Sequence, residues 1–132
     1  MGDSQPGNIP ACGDQLCILG SELVKSGTSS FDIGLMTAEL YCLPQYANQE
    51  GGAALLAVFL DAYKSNIEHV DVPKIAIRKG AHFLVMDPTV WGRLVTPERM
   101  SALVHHGVQL IKAGWERDDA ILRTTMLEPL YR

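Results

Sequence analysis

Four histidines and three cysteines are the side chains in this chain best suited to metal ligation or acid-base and nucleophilic chemistry near neutral pH. Two of them are adjacent, His105 and His106, in "LVHHGVQLIKAGWERDD". On a helix, neighbouring residues diverge by about 100°, so this pair cannot aim both rings at one ion in the way the i, i+4 histidines of an HExxH helix do. The residues four positions away are Ser101 and Gln109 for His105, and Ala102 and Leu110 for His106. None is a strong metal ligand. Cys12 and Cys17 lack a second ligand pair, so zinc spacing is absent as well. The expectation is no metal and no cofactor. A cysteine-histidine site, with Cys42 as nucleophile and His82 or His106 as base, has no local signature and would have to be assembled by the fold. It stands as the alternative, enzymatic reading.

No GxSxG elbow, GxxxxGK[ST] phosphate loop, GxGxxG or EF-hand loop occurs. The stretch "VQLIKAGWERDDAILRTTML" has the outline of a helix-turn-helix, but its second helix opens with Glu116, Asp118 and Asp119. That charge repels phosphate and argues against DNA. A modest basic patch of Arg78, Lys79, Arg93 and Arg99 keeps RNA binding as a third reading. Trp91 and Trp115 stand beside expected helix ends, each followed two residues later by an arginine, Arg93 and Arg117, and Tyr131 lies next to the last residue. Trp, Tyr and Arg are the residues that anchor protein interfaces, so Trp91, Arg93, Trp115, Arg117 and Tyr131 form the expected partner-binding set.

The elements that must position these residues are mainly helical. Asp14 can cap a helix carrying Leu16, Leu19, Leu23 and Val24, with Gly27 as its stop; Ser29 or Ser30 can cap a second that ends before Pro44. The segment 53–60 lacks polar residues, which predicts the central core helix. Residues 74–86 alternate at Ile75 and Ile77 and hold Lys79-Gly80 as a turn signal, which predicts a β-hairpin; a helix starting at Pro73 is the rival. Asp87-Pro88 and Thr96-Pro97 both pair a capping residue with a proline. The second begins a helix stopping at Gly114, on which Met100, Leu103, Val104, Gly107, Val108 and Ile111 make the apolar stripe. A last helix spans about 118–127.

At 132 residues, this describes a single compact, mostly α domain of five or six helices, bundle-like, with residues 1–13 extended and one hairpin near 74–86. No run approaches the length of a membrane span, and the start lacks the basic and apolar regions of a secretory leader. Unpaired cysteines fit a reducing, intracellular and cytoplasmic setting. Residues 1–63 hold one basic residue against seven acids, a net −6, whereas 64–132 carry a net +2. Such asymmetry suits a subunit with two differently charged faces. The function expected is a non-catalytic protein-interaction or assembly subunit, binding itself as a homo-oligomer or a protein partner.

Overall fold

A computed structural model describes residues 3–20, 26–46, 51–90 and 95–132. It is mostly α, with five α-helices and one small antiparallel hairpin among those residues. In chain order the elements are β1 (Ala11–Cys12), β2 (Gln15–Leu16), α1 (Ser29–Tyr46), α2 (Gly52–Asn66), α3 (Val72–Val90), α4 (Pro97–Glu116) and α5 (Asp119–Leu122), with short 3₁₀ turns at Pro6–Asn8 and Glu128–Tyr131. No described helix is long and apolar enough to cross a membrane.

The hairpin is not at 74–86, which is entirely helical within α3. It forms instead at 11–16, where a helix capped by Asp14 was expected. Gly13 explains the difference: it adopts φ +60°, the conformation a two-residue hairpin loop needs and most side chains resist. Ala11 then pairs with Leu16 and Cys12 with Gln15.

The rival helix over 74–86 wins because Gly80 is a packing residue and not a turn. A Cβ on Gly80 would lie 2.5 Å from the Gly107 carbonyl oxygen, and one on Gly107 would lie 2.8 Å from the Gly80 oxygen. Two glycines thus let α3 and α4 cross backbone to backbone, in the most extensive helix contact among the described residues. Gly114, expected to stop α4, plays a similar part, since a Cβ there would meet the Pro73 oxygen at 2.6 Å. The stop is Arg117, in the left-handed conformation at φ 52°. The start of α4 is as expected: Thr96 caps it, accepting a hydrogen bond from the Arg99 amide, and Pro97 occupies the first turn. Asp118 caps α5, which ends at Leu122 and hands over to turns where the helix was expected to run on to about 127.

The core lies between α1, α3 and α4, filled by Met36, Leu40, Ile75, Phe83, Leu103 and Leu110. The helix expected at its centre is at its edge. Of α2 only Gly52, Leu56 and Leu60 are buried, against α1 and the Glu128–Tyr131 turn. Its composition is that of a core helix, but one stripe is all that its neighbours cover. Asp87-Pro88 opens no new helix either; Asp87 sits within α3 and is 0% exposed.

Candidate functional site

Three of the five partner-binding residues expected from the sequence lie among the described residues. Trp91 and Arg93 lie outside the described residues. Trp115 stands on the last turn of α4, 81% exposed, with its indole in solvent. Arg117 is exposed, its guanidinium 3.9 Å from Asp71. Tyr131 is turned inward: its hydroxyl donates to Asp119 Oδ1 at 2.7 Å, and the Arg123 guanidinium covers its ring at 4.2 Å. Burial, then the Asp119 carboxylate, holds that phenol above its ordinary pKa. The basic patch loses a member, because Lys79 is fully buried.

What the fold assembles instead is a buried polar cluster between α1 and α3. Glu39 and Cys42 come from α1, and Lys79, His82 and Asp87 from α3. His82 Nε2 donates to Glu39 Oε1 at 2.8 Å and stands 3.4 Å from Asp87 Oδ1. The Cys42 thiol donates to the other Asp87 oxygen, Oδ2, at 3.4 Å. The Lys79 ammonium donates to the Thr37 carbonyl at 2.9 Å and lies over the rings of Tyr41 and Phe83, at 5.0 and 5.5 Å. Thr37 in turn donates to the Gly34 carbonyl. Apart from Asp87 Oδ1, which makes no hydrogen bond, the polar groups are held by backbone or by a neighbour, which is the condition for burying them.

The charges act on one another in opposite senses. Burial lowers the Lys79 pKa to about 7, with the Asp87 charge opposing the fall only in part. Burial pulls His82 down as well, but the Asp87 and Glu39 carboxylates beside it more than reverse this and raise it to about 9. For Cys42, burial and then the Asp87 carboxylate push the thiol well above its ordinary range. Cys42 and His82 thus both contact Asp87, but no hydrogen bond joins the thiol to the imidazole, the contact that an assembled cysteine-histidine site requires. The thiol is also held protonated, so the arrangement generates no thiolate nucleophile.

A pH experiment follows from the two titrations. The folded pKa of His82 is raised, so its stabilising contribution is complete below about 6.5 and is lost as pH rises through about 9. That of Lys79 is lowered, so its burial penalty is complete below about 7 and is relieved as pH rises toward the ordinary 10.5. Between pH 7 and 9 the two slopes oppose each other. In Lys79→Met the His82 slope is expected alone: urea stability should fall steadily between pH 6.5 and 9, more steeply than in the wild type. Parallel pH profiles for the two proteins would contradict the assignment.

The cluster opens toward solvent through a cleft of about 620 Å³ between α1, α3 and the N-terminal segment. Glu39 and His82 line it, with Phe31, Leu35, Leu43 and Met86 as apolar walls. His105 is exposed, whereas His106 packs partly buried against Tyr41 and Phe83, with ring centroids 5.7 and 5.8 Å away. The buried stripe of α4 runs through Leu103, Gly107, Leu110 and Ala113, rotated from the expected one toward His106. Burial, then the Lys79 charge, lowers the His106 pKa. The two adjacent histidines therefore point to different surroundings, as their spacing dictates.

Glu39 and Asp87 were missed at the level of sequence as site residues, and Lys79 was weighed there only as part of a surface basic patch. The available signal was weak but physical: once 72–90 is read as a helix, Lys79, Phe83 and Asp87 fall at i, i+4 and i+8 on one buried stripe, where two charges need partners. Compared with known proteins, the chain matches no family model, and no significant match is found among curated proteins or solved structures.

Proposed function

We propose that the protein is a non-catalytic assembly subunit that pairs with a second copy of itself through the outer face of α2. The observation that carries this reading is the solvent exposure of an apolar helix: Leu55 is 52% and Val58 65% exposed, with Ala54 and Ala57 also exposed between them. Contiguous apolar surface of this kind on a small protein marks an interaction site. A second copy suits it for two reasons. The stretch 53–60 holds no charge, so two such faces can meet without burying one. In an antiparallel pair centred near residues 56–57, Asp61 of each copy comes beside the first turn of the other α2, where the helix dipole favours an acid. The alanines permit close approach.

Trp115, 81% exposed at the far end of α4, supports a further protein contact outside this pair. A reducing, cytoplasmic setting goes with the reading, because Cys12 and Cys17 are exposed free thiols.

Light scattering over a range of concentrations tests the pairing. The wild type is expected to show twice the chain mass of 14.4 kDa, and Val58→Glu the monomer mass. A wild type that stays monomeric at every concentration would remove the reading. A dimer unaffected by Val58→Glu would move the interface off α2.

A further inference from the structure

Beyond assembly through α2, the geometry points to a divalent transition-metal site formed by Glu39, His82 and Asp87, of the class that takes Zn²⁺. One ligand atom from each residue lies within 4.8 Å of the other two. A tetrahedral ion with bonds of about 2.0–2.1 Å to nitrogen and oxygen sets its ligands roughly 3.4 Å apart. The His82 Nε2 to Asp87 Oδ1 separation is already 3.4 Å, and the His82 to Glu39 separation of 2.8 Å needs to widen by about half an ångström. Glu39 lines the cleft and can give way, since its side chain is still 13% exposed.

A second observation points the same way. Asp87 is 0% exposed, yet its Oδ1 accepts no hydrogen bond, although it faces the His82 ring. A buried carboxylate oxygen whose nearest partner is an imidazole 3.4 Å away, with no hydrogen bond between them, is poorly satisfied, and a cation that replaced the imidazole proton between the two would hold it more closely. The opposite oxygen is held by the Cys42 thiol, which fixes the direction in which Oδ1 points, as an outer partner of a ligating carboxylate does. The Lys79 ammonium is tied to the Thr37 carbonyl, so its one hydrogen bond runs to the α1 backbone and to none of the three ligand atoms. One imidazole and two carboxylates suit zinc, manganese or iron(II) better than magnesium or calcium, which take oxygen ligands. With three protein ligands the coordination stays open on the side of the cleft, through which the ion and a water would enter.

The full chain, stripped with a chelator and dialysed, is titrated with Zn²⁺ against a chromophoric competitor, and its thermal midpoint is followed in parallel. One equivalent is expected to bind and to raise the midpoint. His82→Gln and Glu39→Gln should each weaken binding by at least roughly tenfold, a loss of about 1.4 kcal/mol. The double variant Cys12→Ser/Cys17→Ser should bind as the wild type does. Should the cluster variants fail to fold, Co²⁺ added to the wild type decides: d–d bands without a thiolate charge-transfer band are expected. No Zn²⁺ bound, binding retained in His82→Gln, binding lost with the exposed cysteines, or a thiolate band would each overturn the site.

Discussion

Asp87→Ala is expected to lower the folding free energy by about 3–5 kcal/mol, the usual cost of removing one partner from a buried charged group. Asp87 is fully buried and serves three neighbours at once. It accepts from the Cys42 thiol, flanks the His82 ring at 3.4 Å, and supplies part of the negative charge that opposes the desolvation of Lys79. Alanine leaves the thiol without an acceptor, the imidazole with Glu39 alone, and the lysine with less opposing charge. Asp87→Asn keeps the volume and removes only the charge, so an intermediate loss is expected from it. Urea unfolding in the presence of a chelator measures both; the midpoints should order wild type, Asn, Ala. A wild-type midpoint for Asp87→Ala would show that the cluster contributes nothing to stability, and that its members are held in place by the apolar core around them.

Gly80→Ala should destabilise by about 1–3 kcal/mol, the range for overpacking a close contact. The sign is informative, because alanine is the better helix former by about 1 kcal/mol and would stabilise an exposed site in the same helix. At Gly80 the added methyl lies 2.5 Å from the Gly107 carbonyl oxygen and 2.8 Å from an Ile111 side-chain carbon. The first of these is backbone of α4 and cannot rotate away, so the two helices must separate along their crossing. That displaces Phe83, a core residue whose Cβ sits against Gly107 at the crossing. Gly51→Ala is the control: a Cβ there meets nothing within 4 Å, and only a small change is expected. If both substitutions leave the thermal midpoint equal to wild type or higher, α3 and α4 do not approach as closely as the crossing requires.

Some of this protein is legible residue by residue. The helix starting at Pro97 follows from Thr96 and Pro97, and the short one at Asp119 from Asp118, because a cap satisfies amides within its own first turn and needs nothing distant. The divergence of His105 and His106 is equally local, a consequence of helical pitch. Burial of α1 on several sides could also be read from its apolar residues, and Ile33, Met36, Ala38, Leu40 and Cys42 are all in the core.

Other features depend on what lies across the chain. Gly80 beside Lys79 has the composition of a turn, and only the arrival of Gly107 makes it a helix crossing. The segment 53–60 is apolar enough for a core, but how much of it is covered depends on how many neighbours it has, and among the described residues α2 packs mainly on α1 and the Glu128–Tyr131 turn. The cluster is the clearest case. Glu39 and His82 are 43 positions apart, and Cys42 and Asp87 are 45 apart, so no spacing could announce them. The pKa shifts of His82 and Cys42, the hydrogen bonds of the cluster and the ion site proposed for it come from burial and proximity, which exist only once α1 lies across α3. Local sequence determined where several helices begin and which residues are apolar; tertiary packing decided which apolar faces are covered and which charges meet, because those energies depend on contacts the chain makes only when folded.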